Sequence, residues 1–201
     1  MSLKAPTYRE YWPELAKQWD LAEIRPNRLA EVRGVAKRLF TSKARYVAVE
    51  KLTTVPWWII ACIGEREAGT NIFNCQLGQG DPLNRRSVNE PAGMGPYLGP
   101  DAWERAATDA LSLDHLSIVI DWRLEKALYY WIKYNGWGYY QFRNKMLSPY
   151  AFGATTVQQL GKYGPRDGQW SPNVMDEQVG TAAMLKAIME IDITVNPERE
   201  S

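Results

Sequence analysis

The sequence has little of the chemistry that holds disulfide-rich or metal-dependent proteins together. Its 201 residues include two cysteines and one histidine. Two cysteines do not make a disulfide scaffold, and the placement of Cys62 in an apolar run and Cys75 in the loop after it matches no metal motif. His115 has no partner motif nearby, which argues against a zinc hydrolase with the usual ligands. We therefore expect two unpaired thiols and no metal site.

An excess of charge of one sign is also absent. The chain has 24 Lys and Arg against 23 Asp and Glu, a net charge of +1, so no field of the whole molecule attracts nucleic acid or an anionic membrane. The basic residues between Arg25 and Arg45 are interspersed with apolar positions and with Glu31, which is typical of a solvated helix face. We expect no nucleic-acid partner, and tight duplex binding in a low-salt gel shift would overturn this expectation.

No long hydrophobic run is present. The longest, residues 55–64, has ten residues, whereas a membrane-spanning helix needs about 20. Residues 1–19 contain no uninterrupted apolar stretch followed by a small-residue cleavage site, so they do not match a secretory signal. We expect cytoplasmic synthesis without a signal peptide, and no stable membrane insertion.

The chain does contain a series of helical patterns. Apolar residues recur every three or four positions in residues 7–19, 27–39, 101–111 and 121–135, which predicts amphipathic helices. Residues 43–51 either continue the second helix or begin another. Asp121 is the predicted N-cap of the helix that ends at Asn135-Gly136, and Ser171 with Pro172 is predicted to begin the last helix. The sequence thus predicts a mainly α-helical protein.

Two segments lack this periodicity. Residues 70–100 are rich in Gly, Pro and Asn, and residues 147–168 contain several glycines and a Ser-Pro pair. The first segment predicts a long irregular region that could include a small β element. For the whole chain we expect one domain, with residues 1–52 as an N-terminal helical extension packed on a catalytic core at residues 53–192.

The helix before the first irregular segment is the most informative. Pro56 stands at its start, residues 57–64 are apolar on every side, and Gly69 is a natural C-terminal cap. This pattern predicts a buried central helix. Glu67 lies four residues beyond Ile63, on the same stripe of that helix.

A carboxyl in that position suits acid catalysis. Apolar surroundings and the negative end of the helix dipole both favour the protonated form, which glycosidic cleavage requires because the leaving oxygen must receive a proton. Two alternatives remain open from spacing alone. Glu67 could be an exposed helix-end residue paired with Arg66 or Lys51, and Glu65 approaches the helix end through a similar apolar stripe.

Five short motifs follow one another between residues 57 and 185. They are IGEREAG at 63–69, QGDPLN at 79–84, PAGMGP at 91–96, WERAATDAL at 103–111, and YNGWGY at 134–139 followed by SPY at 148–150. In this order they resemble the motifs of bacteriophage and prophage endolysins of the lysozyme-like superfamily, relatives of goose-type lysozymes and lytic transglycosylases. Ala68 stands where that group usually has Ser, and Met94 where it has Arg. The first fifty residues resemble no family.

The resemblance implies a lysozyme-like fold with a buried central helix and a glycosidase activity. The substrate would be peptidoglycan, cleaved at the β-1,4 bond between N-acetylmuramic acid and N-acetylglucosamine, with Glu67 rather than Glu65 as the general acid. Asp81 would stabilise positive charge on the sugar or orient water, or else serve only as a turn residue. The reaction requires no metal and no cofactor.

The resemblance also implies substrate-binding residues. Tyr134 and Asn135 would close the cleft and hydrogen-bond the substrate, although Asn135 could equally be a helix cap. Tyr139 and Tyr150 would stack on sugar rings or hydrogen-bond them, with core packing an equal alternative. We expect the Glu67 carboxyl to be enclosed by apolar side chains and to face a cleft bounded by residues 70–100 and 134–150.

Two further questions follow from the same interpretation. One glutamate does not decide whether water or the substrate's own hydroxyl completes the displacement, so a lysozyme (a hydrolase) and a lytic transglycosylase both remain open. The alternative to an enzyme is a non-catalytic peptidoglycan-binding or virion structural module of the same fold, which Glu67 together with Asp81 argues against. We expect a monomer that acts in cell wall degradation, in the periplasm, after a separate release step.

Overall fold

The computed structural model of the chain describes residues 2–78, 80–88, 91–164 and 169–200. It is mainly α-helical, which confirms the predicted fold class. The α-helices are α1 (Tyr8–Leu21), α2 (Leu29–Thr41), α3 (Lys43–Thr53), α4 (Trp57–Ala68), α5 (Ala102–Leu113), α6 (Leu124–Asn135), α7 (Gly138–Phe142), α8 (Pro149–Phe152) and α9 (Thr181–Ile191). Two 3₁₀ segments, Pro26–Arg28 and Gly69–Asn74, precede α2 and follow α4.

A small antiparallel sheet pairs strand β1 (Lys162–Tyr163) with strand β2 (Trp170–Ser171). In residues 70–100, by contrast, the only β structure in the described part of the chain is an isolated bridge between Cys75 and Pro82. The long irregular region is therefore confirmed there, whereas the sheet lies elsewhere in the chain.

The chain forms two compact units. The first unit comprises Met1–Ala36 and Arg123–Ser201, and the second comprises Lys37–Trp122. The division does not fall at residue 52, where the sequence suggested an N-terminal extension. The single-domain organisation stays a prediction.

In the first unit, α6 is the central helix, with α1, α8 and α9 packed on it. A capping box in which Thr7 and Glu10 exchange hydrogen bonds begins α1, and that helix buries Leu15 on its inner face. The approach between α8 and α9 is very close: a Cβ on Gly180 would lie 2.3 Å from the amide nitrogen of Gly153. Only glycine allows this approach.

The second unit is built around α4, which packs on α3 and on the 3₁₀ segment that follows. Every residue from Trp57 to Gly64 is buried, which confirms the predicted buried helix. Aromatic rings surround it: the ring of Tyr46 on α3 lies 5.5 Å from the rings of both Phe73 and Trp103. Such edge and tilted ring contacts stabilise the core beyond the area they bury.

The predicted start of α6 was wrong. Its N-cap residue is Arg123 rather than Asp121, and no side chain caps it. Instead, the amide of Leu124 donates to the carbonyl of Glu198 at 2.8 Å. A backbone carbonyl from the C-terminal segment thus satisfies one of the helix's unpaired N–H groups, which local sequence does not reveal.

The predicted start of the last helix was also wrong. Ser171 lies in β2 opposite Lys162, and α9 begins only at Thr181. The Ser-Pro pair is therefore part of the turn that leaves the strand. Pairing with β1 takes precedence here over the local helix signal, because it satisfies backbone groups of two segments together.

Among the described residues, no single helix is long and apolar enough to cross a membrane. Residues Lys43–Thr53 and Trp57–Asn74 reach that length and apolarity only as a pair, which is bent by 114°.

Candidate active site

Glu67 lies in the last turn of α4. The helix ends at Ala68, and Gly69 follows with φ +55°, a backbone conformation that glycine adopts at low cost. Glu67 itself is partly buried, whereas the preceding residues of the helix as far as Gly64 are buried. A carboxyl is thus held at the boundary between the apolar core and solvent.

Glu65, the competing carboxylate, has a different role. Its Oε1 accepts a hydrogen bond from Arg38 at 2.7 Å, and its side chain is only 12% exposed. Its charge contributes to raising the pKa of the Tyr46 hydroxyl and of the Cys62 thiol, although burial is the larger cause in both. Glu65 therefore faces α2 and α3. Residues two apart on an α-helix differ by about 200° in direction, so Glu67 lies on the opposite face.

The loop after α4 returns to the helix end at Gly80. A Cβ on Gly80 would lie 2.8 Å from the backbone oxygen of Glu67, and its φ is +70°. Both the space and the conformation require glycine. Since Asp81 is the next residue, the loop brings the backbone of the second predicted acidic residue close to the end of α4. Gln79 lies outside the described residues.

Gln76 closes this loop. Its backbone amide donates to the carbonyl of Asp81 at 2.6 Å, and its side-chain amide donates to the carbonyls of Pro82 and Arg85 at 3.1 and 3.0 Å. Gln76 is buried, so these hydrogen bonds are protected from water. No motif in the sequence singled out Gln76, because its partners lie in the irregular segment.

Asp81 is buried, with 7% exposure. Its Oδ2 accepts a hydrogen bond from the amide of Val88 at 3.3 Å. Further along, the hydroxyl of Ser87 donates to the carbonyl of Pro91 at 2.6 Å and accepts from the amide of Met94 at 2.9 Å. Asp81 and Ser87 thus order the irregular segment. This supports the alternative in which Asp81 is a turn residue with a structural role.

A small cavity of about 30 Å³ lies beside Asp81, with Gln76, Ser87 and Tyr97 among its lining residues. A cavity of this size holds about two water molecules, which is too little for a sugar ring. Most of its lining is apolar, with Gln76, Asp81 and Ser87 among its polar residues.

The four predicted substrate-binding residues lie in the first unit. The side-chain amide of Asn135 donates to the Ser148 hydroxyl at 3.4 Å, and Ser148 caps α8 by accepting from the amide of Tyr150. The predicted end of α6 at Asn135 is confirmed, and Gly136 follows with φ +90°. Asn135 therefore connects the end of α6 with the beginning of α8, a link that the sequence did not indicate.

The tyrosines differ in exposure. Tyr134 is partly buried, whereas Tyr139 and Tyr150 are 7% and 3% exposed. The hydroxyl of Tyr139 accepts from the amide of Tyr163 at 3.2 Å. The burial of Tyr139 and Tyr150 favours a role in core packing, which the sequence had left open for both residues. The cleft between residues 70–100 and 134–150 stays a prediction.

Within the described ranges, no group of three or more His, Cys, Asp or Glu side chains has an arrangement that could hold a metal ion. His115 is exposed, in a left-handed turn with φ +58° after α5. Cys62 and Cys75 are both buried free thiols.

Comparison of the chain with protein-family models, with curated proteins and with solved structures found no match. The case for a function therefore comes from the residues and their geometry.

Proposed function

We propose that this protein is a lysozyme-like, endolysin-type enzyme that cleaves peptidoglycan glycan strands with Glu67 as the general acid. The observation that carries the proposal is the place of Glu67. It is a partly buried carboxyl in the last turn of a helix whose residues 57–64 are apolar and buried. Burial disfavours the charged form of a carboxyl. Proton donation to the glycosidic oxygen needs the protonated form.

The choice of Glu67 over Glu65 is supported by the neighbouring ion pair. Glu65 is oriented toward Arg38 of α2 and forms an ion pair with it. Glu67, by contrast, lies where the loop with Gly80 and Asp81 returns to the helix end. A general acid must be within hydrogen-bond reach of the bond it protonates, and a glycan chain has access to the loop side more readily than to the side packed on α3.

In this proposal Glu67 protonates the oxygen between the two sugars as the bond to the muramic acid C1 breaks. Asp81 stabilises the positive charge that develops on that sugar or orients the attacking water. With water as nucleophile, the product has a reducing end. If a hydroxyl of the same sugar attacks instead, its proton is released and an anhydro ring forms.

Tyr134, Asn135, Tyr139 and Tyr150 are assigned to the sugar-binding part of the proposed cleft. Asn135 and Tyr134 are the stronger candidates, since both have accessible surface. Tyr139 and Tyr150 are buried and act in this proposal by holding α7 and α8 in place. The enzyme would reach the wall after a separate release step and work there as a monomer, without metal or cofactor.

The experiment is mass spectrometry of the fragments released when purified sacculi are incubated with the protein. Muropeptides with reducing ends establish a lysozyme, and those with anhydro ends establish a lytic transglycosylase. Binding of the protein to sacculi without release of fragments would contradict the proposed enzymatic activity. That result would support the non-catalytic binding module, for which the structural hydrogen bond of Asp81 is the specific observation.

A further inference from the structure

The second unit has an open pocket of about 410 Å³ at its surface. This volume is in the range of small-molecule binding sites. Its two walls are the end of the 3₁₀ segment Gly69–Asn74 and residues 82–85. The walls are joined by the bridge between Cys75 and Pro82 and by a hydrogen bond from the Leu83 amide to the Asn74 carbonyl, at 3.1 Å.

The core of the unit holds these walls in place. Leu83 packs against a buried cluster that includes Tyr97, and the amide of Tyr97 donates to the carbonyl of Leu83 at 2.8 Å. On the other side, the buried Gln76 side chain binds the carbonyls of Pro82 and Arg85. A site whose walls are already ordered loses less conformational entropy when a ligand binds.

The polar groups at this pocket are amides and one guanidinium. Asn71, Asn74, Asn84 and Arg85 line it, and all four are exposed. The amide of Asn74 donates to Oδ1 of Asn71 at 2.8 Å, and the amide of Asn71 donates to the Cys75 sulfur at 3.3 Å. This chain of hydrogen bonds orients both amides and leaves Oδ1 of Asn74 as an acceptor.

The charge at the pocket is positive. The guanidinium of Arg85 forms no ion pair with a residue that the structure describes. None of the described lining residues is acidic. Arginine recognises carboxylates with two parallel hydrogen bonds, and asparagine amides recognise both donors and acceptors.

We propose that this pocket binds the acidic branch of a muramyl sugar and so distinguishes that sugar from N-acetylglucosamine, which has no carboxylate. The inference rests on the proposed function for the identity of the sugar. Arg85 binds the carboxylate, and the three asparagines bind the amide and hydroxyl groups around it. Asn71 lies in the 3₁₀ segment that follows α4, in the same unit as Glu67, and in this proposal binding here sets which of the two alternating sugars reaches the acid.

The test is an NMR titration of the full-length, ¹⁵N-labelled protein. Binding is monitored through the backbone amide signals of residues 83–85 and the side-chain signals of Asn71, Asn74 and Arg85. The probes are N-acetylmuramic acid, muramyl dipeptide and N-acetylglucosamine. We expect at least one of the two acidic probes to bind about fivefold more tightly than N-acetylglucosamine, as one partly exposed charged contact allows. Arg85→Gln should remove this preference.

Arg86→Gln is the matched control, because it removes the same charge from the neighbouring residue. Arg86 does not line the pocket, and its side chain donates to the Gly93 carbonyl at 3.1 Å. It should keep the preference. Tighter binding of N-acetylmuramic acid assigns the site to the lactyl carboxylate, which the dipeptide carries as an amide, and tighter binding of the dipeptide assigns it to the peptide. Equal affinity of the two, above that of N-acetylglucosamine, means that the site accepts a carboxylate at either position. Equal binding of all three probes, or an unchanged preference in Arg85→Gln, would overturn the proposal.

The outcome is separable from that of the catalytic proposal. Glu67→Gln should bind the acidic probes like the wild type, because Glu67 does not line this pocket. A wild type that binds them selectively but releases no fragments from sacculi would refute the enzyme and leave this site standing. A wild type that cleaves sacculi without selective binding at residues 71–85 would refute only the site.

Discussion

Two glutamates separated by one residue have different environments in this protein. Glu65 is held by Arg38 and lies close enough to Tyr46 and Cys62 to affect their pKa values. Glu67 lies at the opposite side of the helix, beside the returning loop. Since the two differ so little in sequence context, substitution of each one alone is the most direct test of the assignment.

Glu67→Gln should lower the rate at which the protein clears outer-membrane-permeabilised Gram-negative cells by at least ~10²-fold. The substitution keeps the size of the side chain but removes the transferable proton. The melting temperature should not fall, because a neutral amide replaces a carboxyl that is costly to bury. Near wild-type clearing by a folded Glu67→Gln protein would contradict the assignment. Glu65→Gln is the control, and should keep most of its activity per folded molecule.

Glu65→Gln should instead reduce stability. The free energy of unfolding, measured with urea, should fall by about 1–3 kcal/mol. The reason is that the Glu65 side chain, which is only 12% exposed, no longer forms an ion pair with Arg38. The matched control is Glu190→Gln, which breaks a surface pair with Arg33 at 2.8 Å whose side chains are 56% and 44% exposed. That change should cost less than ~0.5 kcal/mol. Equal small losses in both variants would mean that the Arg38 pair has no special structural role.

At the scale of elements, the C-terminal segment has a larger role than its polar sequence suggests. Glu125 of α6 is fully buried, and its carboxylate accepts from the Arg199 side chain at 2.5 Å and from the Glu200 amide at 2.8 Å. Arg199 also binds Asp20 at 2.9 Å, which lowers the pKa of that carboxyl. The segment after Pro197 therefore fastens α1 and α6 of the first unit.

Ending the chain after Pro197 should lower the free energy of unfolding by about 3–5 kcal/mol, since it leaves the buried Glu125 carboxylate without these partners. The same truncation in a Glu125→Gln background should cost distinctly less. Urea unfolding of the four proteins forms a double-mutant cycle. Ending the chain after Glu200 is the control and should change little. If the truncation lowered the free energy of unfolding equally in the wild-type and Glu125→Gln backgrounds, the segment would not stabilise the protein by pairing with the Glu125 charge.

At the scale of the whole molecule, the chain combines a nearly neutral net charge with two separately packed units. Burial raises the pKa of both thiols, Cys62 in the core of α4 and Cys75 after the 3₁₀ segment. The thiolate is the reactive form, so integrity of the second unit controls the reactivity of both cysteines.

The folded, unreduced protein should therefore react with a thiol reagent at pH 8 at least ~10-fold more slowly than the denatured protein. Denaturation without reductant should reveal two thiols. Because the folded state holds these protons more tightly than the unfolded state, whose thiols titrate near about 8.5, stability should fall as pH rises above that value. Fewer than two thiols in the denatured protein would show a disulfide and contradict the prediction.

Much of the secondary structure followed from the sequence alone. The apolar residues 57–64 and Gly69 specify a buried helix and its end, because a helix that is apolar on all sides has no solvent-facing surface. Asn135 with Gly136 likewise marks a helix boundary, since capping depends on residues within one turn. The place of Glu67 at the end of the buried helix is a property of this local pattern.

Other features depend on contacts between distant residues, and only the tertiary structure decided them. Leu124 begins α6 because the Glu198 carbonyl accepts its N–H, and Ser171 is in a strand because Lys162 lies opposite. The pairing of Glu65 with Arg38 joins residues 27 positions apart. Hydrophobic periodicity and capping depend on residues a few positions apart. Hydrogen bonds and ion pairs between distant segments depend instead on how the helices pack, and no local pattern in this sequence specifies that packing.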